Sequence, residues 1–215
     1  MVAVIPFRGD GDPKRRLAAV LDRAGRVALA EAMLRDVVRA VRSSPSVERT
    51  LVVSRAVRPA WLTDAVEWLV ETTVAPSRPT DDDLNGALAS VQAALGAGRS
   101  LLVVPADVPL LQAADIERVL DALEERTAVI VPDDAGDGTN CVAFSPADLM
   151  GFRFGPGSFT RHLSDARSVG ATVVSLEIGG FGLDVDRPDD LAALVARGVG
   201  GETRAVLARL GLSGA

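Results

Sequence analysis

The chain has 215 residues and a formal net charge of −6. That length suits one large α/β domain, residues 1–215, with a core that needs no disulfides, and its single cysteine, Cys141, excludes an intrachain bridge. The acidic balance excludes the basic field a nucleic-acid partner requires. With no leader pattern and no apolar run of about 18 residues, no membrane partner and a cytoplasmic location are expected.

Taken in chain order, Met1-Val2-Ala3-Val4-Ile5-Pro6 reads as a first buried strand. The loop after it gathers Arg8, Lys14, Arg15 and Arg16. Lys14 is the only lysine against 22 arginines, and it falls where a triphosphate needs its charge neutralised. Chance survival of one lysine in an arginine-rich chain is the bland alternative. The loop is neither a Gly-Lys-Ser/Thr phosphate loop nor Gly-x-Gly-x-x-Gly.

Residues Arg26 to Arg42 carry one apolar helical stripe, ended before Pro45, and Thr50 to Val53 reads as a strand. A short helix is expected over Ala60 to Leu69, with Trp61 and Trp68 packing the core. A strand is expected over Val70 to Val74, then a helix from Asp83 to Leu95. Leu101-Leu102-Val103-Val104 has the unbroken apolar character of a parallel strand buried on both faces, and Asp107 follows its carboxyl end, where open α/β sheets bind ligands. A helix over Ala113 to Arg126 and a strand over Ala128 to Val131 come next. The turn-rich Pro132 to Phe144 segment predicts an added antiparallel element, in which Thr139 offers a hydroxyl to phosphate.

Gly155-Pro156-Gly157-Ser158 precedes a predicted helix, Phe159 to Val169, so free backbone N–H groups and the helix dipole would converge on an anion, with the Ser158 hydroxyl adding a bond. A plain loop is the competing reading of such a turn. His162, the only histidine, is read as structural in preference to a carboxylate contact. After a strand over Ala171 to Leu176, Leu183-Asp184-Val185-Asp186 puts two carboxylates on one face of an extended segment. With Asp107 they form a hard-oxygen set suited to Mg²⁺, unless Asp186 caps the helix that opens at Pro188. Helices over Pro188 to Ala196 and Glu202 to Leu210 close the chain. Such alternation predicts a three-layer α/β/α architecture with a mostly parallel central sheet.

Eight segments in order, Ile5-Pro6-Phe7, Pro13-Lys14-Arg15-Arg16-Leu17, Ala32 to Val37, Asp83 to Leu88, Pro105 to Leu111, Gly138-Thr139-Asn140, Phe154 to Phe159 and Leu183 to Leu191, resemble the 2-phospho-L-lactate guanylyltransferase family of coenzyme F420 biosynthesis. The resemblance covers nearly the whole chain. It implies a Rossmann-like nucleotidyltransferase fold and a reaction of GTP with a phosphorylated three-carbon acid, releasing pyrophosphate. The acid differs among members: 2-phospho-L-lactate, phosphoenolpyruvate or 3-phospho-D-glycerate. By motif, Asp107, Asp184 and Asp186 look like Mg²⁺ ligands, Thr139, Gly155 and Ser158 like contacts to the acid, and Lys14 and Arg16 like catalytic cations beside the phosphates. Arg8, Lys14 and Asn85 look like nucleotide contacts. Arg8 stands where the family often has lysine, and Asp82-Asp83 where a small residue often precedes Leu-Asn. A homodimer and hand-off of product to the next enzyme are further expectations.

An ionised phosphate is its own nucleophile, so the absence of a Ser-His or Cys-His pair agrees with this reading. Two alternatives stand beside it: another nucleotidyltransferase of the same architecture, of molybdopterin or sugar-phosphate type, and a non-catalytic nucleotide-binding module. The first usually has a Gly-rich loop after strand one that Phe7-Arg8-Gly9-Asp10 does not match, and the second has no chemical need for three metal carboxylates.

Overall fold

In the computed structural model, which describes residues 1–70, 81–96 and 98–212, the strands alternate strictly between two cores. In β1 (Val2–Phe7), Ala3, Ile5 and Phe7 enter one apolar cluster while Val2 and Val4 enter another. The same division holds for β4 (Leu101–Val103), β5 (Thr127–Pro132) and β6 (Thr139–Ser145). Successive Cβ atoms point to opposite faces, so an apolar run without polar interruption must be covered on both sides.

With β2 (Arg49–Ser54), β3 (Glu67–Val70) and β7 (Thr172–Ser175), these strands form one seven-stranded sheet in the order β3-β2-β1-β4-β6-β5-β7. Every pairing is parallel except those of β6, which runs antiparallel to both β4 and β5. The predicted antiparallel element is therefore internal. Helices α1 (Arg23–Arg42) and α3 (Ala113–Asp121) cover one face, and α2 (Asp81–Leu95) and α4 (Ser158–Ser168) the other, which gives the three layers expected.

Helix α1 has more than the one predicted stripe. Leu34, Val37 and Val41 face the sheet, while Leu29 and Met33 enter a third cluster with Leu191 and Leu194 of α6 (Pro188–Arg197) and Val206 and Leu207 of α7 (Gly201–Arg209). Burying each such side chain contributes roughly 1.5–3 kcal/mol, so the C-terminal helices are a structural part of the domain. Asp36 ties them on, its carboxylate accepting from the backbone N–H groups of Glu202 and Thr203 at 2.9 and 2.8 Å.

Two expectations need correction. The helix over Ala60 to Leu69 is replaced by turns and then β3, which pairs with β2; the aromatic Trp68 and β-branched Val70 suit a strand, and Arg49 clasps Glu67 with two 2.9 Å bonds. Both tryptophans pack against the first core cluster, as expected, and Trp68 meets Phe7 edge-on. Val70 closes β3, and the rest of the strand expected over Val70 to Val74 lies outside the described residues. Helix α3 stops at Asp121, because the chain turns through Arg126 at φ 58° to enter β5. Among the described residues no helix is long and apolar enough to cross a membrane.

Candidate active site

Because β6 runs backwards, its first residues share an edge with the carboxyl ends of β1 and β4, and at that edge lies a cleft of about 930 Å³. Its walls include Arg8, Lys14, Leu84, Asp107, Phe154 and Asp186. The ladder ends with Val104 N–H donating to the Val4 carbonyl at 3.0 Å; Pro105 has no donor, and Asp107 projects beyond the sheet. The N–H of Val185 donates to the Asp107 carbonyl at 3.1 Å, which joins the two acidic segments.

Lys14 sits in the left-handed region at φ 52° and ψ 39°, at the start of a single 3-10 turn, Arg15–Leu17, pinned by fully buried Leu17. A non-glycine residue there is uncommon and held by its surroundings. Its ammonium donates to Asp107 Oδ2 at 2.5 Å and Asp186 Oδ1 at 2.8 Å, and Arg16 donates to Asp186 Oδ2 at 3.1 Å. Burial alone would pull the Lys14 pKa down, but the charges of Asp107 and Asp186 outweigh it and raise it above the ordinary value. Lys14 is held as a cation.

Leu183 and Val185 are buried in the third core cluster, which leaves Asp184 and Asp186 on the opposite face, as the alternation predicts. Asp186 does not cap α6. That work falls to Asp190, which accepts from the N–H groups of Asp186 and Arg187 at 3.0 and 2.7 Å, and the Asp186 carboxylate is left to the two cations. Burial pushes Asp186 upward, yet Lys14, Arg16 and Arg187 hold it below the usual carboxylate value. Asp184 goes the other way, to about 6, driven by burial and then by the Asp107 charge, against a hydrogen bond from Asn140. Among the described residues no three carboxylate, histidine or cysteine side chains stand close enough to form a ready-made metal cluster; Asp107 and Asp186 share the Lys14 ammonium.

Thr139, Gly155, Ser158 and Asp184 do not line the cleft itself. The β5–β6 register shifts between Val131 and Pro132, leaving Asn140 without a partner on β5, and its amide donates to Asp184 Oδ1 at 3.2 Å and to the Phe181 carbonyl at 2.8 Å. Phe181 lies in a one-turn helix, α5 (Gly179–Gly182), where a Cβ at Gly182 would meet the Asp134 side chain and force it to move.

The glycine turn is less open than expected. Gly157 N–H donates to Asp137 Oδ2 at 3.1 Å, Ser158 N–H to the Gly155 carbonyl at 3.0 Å and Phe159 N–H to the Asp137 carbonyl at 3.1 Å, so these amides are already engaged. Gly155 itself adopts φ 119°, a region closed to most side chains. Asn85 spends its amide on the backbone of Phe154, accepting from its N–H at 2.8 Å and donating to its carbonyl at 3.2 Å; it fixes the cleft wall through that loop. His162 is fully buried and structural in its packing, edge-on to Phe154.

Sequence reasoning gave no role to Asn140, Asp137 or Asp190. The turn chemistry around Gly136 and Gly138 was the available signal for the first two, but a bulge register and a backbone acceptor cannot be read from residue type alone.

Comparison with known proteins agrees with this geometry. The family described as "Guanylyl transferase CofC like" matches residues 1–214. The chain is similar to a phosphoenolpyruvate guanylyltransferase of Rubrobacter xylanophilus, at 42% identity covering 91% of this chain and 94% of that protein. It is also similar to a 2-phospho-L-lactate guanylyltransferase of Methanothermobacter thermautotrophicus, at 31% identity covering 97% of this chain and 90% of that protein. Among solved structures, a nucleotide-diphospho-sugar transferase from Desulfovibrio desulfuricans G20 superposes with TM-score 0.74 at 16% identity, covering 97% of this chain and 94% of that one. Rv0371C of Mycobacterium tuberculosis H37Rv, in complex with manganese, does so with TM-score 0.51 at 21% identity, covering 90% and 97%. A nucleotidyltransferase fold, a match along nearly the whole chain and relatives named for one transfer reaction lead to one conclusion: the chain belongs to the guanylyl transferase CofC-like family and is a guanylyltransferase.

Proposed function

We propose that the chain joins GTP to phosphoenolpyruvate, forming a guanosine diphospho-ester and releasing pyrophosphate, as a step in coenzyme F420 biosynthesis. The observation that carries this reading is Lys14: a part-buried ammonium at the mouth of the cleft, shared by two carboxylates at the carboxyl edge of the sheet. The acid is taken from the Rubrobacter relative, at 42% identity.

In this reading Arg8, Lys14 and Arg16 neutralise the triphosphate, and Lys14 and Arg16 stabilise charge as pyrophosphate departs. Asn85 shapes the nucleotide wall by holding Phe154. Thr139, Gly155 and Ser158 hold the acid so that its phosphate oxygen faces the α-phosphorus in line. No residue has to remove a proton, because the attacking phosphate is already ionised.

Asp107, Asp184 and Asp186 would hold a divalent cation, Mg²⁺ by the chemistry of hard carboxylate oxygens. Supporting this, Asp107 and Asp186 already accept from one cation, the Lys14 ammonium, and the Asp107 and Asp186 charges add to burial in raising the Asp184 pKa; a divalent ion would draw the three carboxylates closer together than they stand. When bound, the cation supplies charge neutralisation at the reacting phosphates.

Pyrophosphate release from GTP with Mg²⁺ tests the proposal, with phosphoenolpyruvate, 2-phospho-L-lactate and 3-phospho-D-glycerate in competition. Phosphoenolpyruvate is expected to give the highest kcat/KM. A rival tenfold better, about 1.4 kcal/mol of transition-state preference, overturns the choice of acid, and no release with any of them overturns the reaction.

A further inference from the structure

The hydroxyls of Thr139 and Ser158 touch at 3.1 Å, and Thr139 Oγ1 also lies 3.0 Å from His162 Nδ1; all three side chains are buried. On its other side the ring accepts from the Arg153 backbone N–H, at 2.9 Å to Nε2. A nitrogen that accepts carries no proton, so the neutral ring bears its proton on Nδ1. Burial first, and the Arg161 and Arg153 charges with it, hold the ring neutral by lowering its pKa to about 4, against Asp165 and a bond with the Ser158 backbone.

Counting hydrogens then gives a definite result. Nδ1–H lies between Thr139 Oγ1 and the Ser158 backbone, so Thr139 cannot donate back to the ring, and only one hydroxyl proton fits between Thr139 and Ser158. The other hydroxyl proton has no acceptor among the described residues within this network. A buried donor left without an acceptor costs about 1–3 kcal/mol, and an anionic oxygen arriving from the acid removes that cost. If His162 carried its proton on Nε2 instead, Nδ1 would absorb a hydroxyl proton and nothing would be left over.

We propose that His162 is a positioning residue that, by presenting a proton on Nδ1, orients the Thr139–Ser158 hydroxyl pair to donate to an anionic oxygen of the phosphorylated acid. This rests on the reading that the acid binds at Thr139 and Ser158. It deepens that reading by naming what gives the pair its donor character.

His162 is the only histidine in the chain, so long-range ¹H–¹⁵N spectra report its tautomer without assignment and without any variant. The expected result at neutral pH is a protonated Nδ1 and a bare Nε2, and phosphoenolpyruvate alone is expected to shift the Nδ1 resonance; the Nε2–H tautomer overturns the proposal. In kinetics, His162→Phe keeps the ring and its packing but loses both nitrogens, and is expected to raise the acid's KM about tenfold with the GTP KM unchanged. His162→Asn, which restores a donor near the Nδ1 position, is expected to recover most of that loss. A parallel rise in both KM values, or no recovery with Asn, overturns the proposal. Thr139→Val separates the two readings: if it leaves the acid's KM unchanged, the acid site itself is misassigned, whereas if it raises that KM and His162→Phe does not, only the role of His162 fails.

Discussion

Lys14 and Asp107, 93 residues apart in sequence, meet at 2.5 Å, and Asp186 takes the same ammonium at 2.8 Å. All three groups are partly withdrawn from water, and each is costlier alone than in this cluster. The loop after β1, the loop after β4 and the segment before α6 are thereby held in one arrangement at the mouth of the cleft.

Lys14→Met removes the shared cation, leaving Asp107 without its ammonium and Asp186 with Arg16. A fall in kcat/KM of about a hundredfold or more, roughly 2.7 kcal/mol, is expected in steady-state pyrophosphate release. Lys14→Arg is not expected to restore it, since a planar guanidinium cannot occupy the space of a compact ammonium shared by two carboxylates. Activity within threefold of the parent in either variant would contradict the role.

Asp184→Asn should separate stability from activity. The Asp184 carboxyl is raised to about 6, so at neutral pH its ionised form is disfavoured by burial and by Asp107, and this costs the folded state on the order of 1–3 kcal/mol. Asparagine keeps an acceptor for Asn140 and removes the charge. Thermal denaturation should show an unchanged or higher Tm, while turnover falls by orders of magnitude and the Mg²⁺ requirement moves upward. Loss of both stability and activity would mean that Asp184 is structural.

Asn85→Ala strips the Phe154 backbone of both its partners. With one buried donor and one acceptor left unmet, a loss of about 2–3 kcal/mol in denaturant unfolding is expected, together with a raised KM. An Asn85→Ala protein of parent stability would refute the clamp.

His162 makes stability fall with acid. Its folded pKa, about 4, lies below the usual value near 6.5, so the unfolded chain binds the extra proton first. This contribution is fully present above pH ~6.5 and is lost as pH falls toward 4, to a total on the order of 3 kcal/mol. Equilibrium unfolding of the parent and of His162→Phe across that window should show the difference between them shrinking as pH drops. A constant difference would show that the ring does not titrate as its burial requires.

The sheet was legible wherever strands are buried on both faces, because apolar runs such as Leu101 to Val104 leave no other solution. The segment around Trp68 was not, since Trp, Leu and Val at that spacing satisfy a helical stripe as well as a strand, and only pairing with β2 decides between them. At the site, the acidic pair and Lys14 were visible as residue types in telling positions. Their partition was not: that Asp190 caps α6 and frees Asp186 depends on a turn geometry that the spacing of Asp186, Pro188 and Asp190 permits but does not dictate. The engaged amides of Gly157 and Phe159 were equally hidden, because Asp137 reaches them from a loop 20 residues away.

The reversed direction of β6 divides the labour of the cleft along the chain. Residues up to Asp107 build the wall that carries Lys14, while the stretch that leaves β5, returns along β6 and enters α4 carries Thr139, Gly155 and Ser158. One contiguous stretch of the gene therefore encodes the pocket proposed for the acid. On the proposed reading, a descendant exchanges its acid by substitutions confined there while the half proposed for the triphosphate is inherited intact, and a chimera that swaps only residues 132–158 between two relatives should carry its acid preference with it.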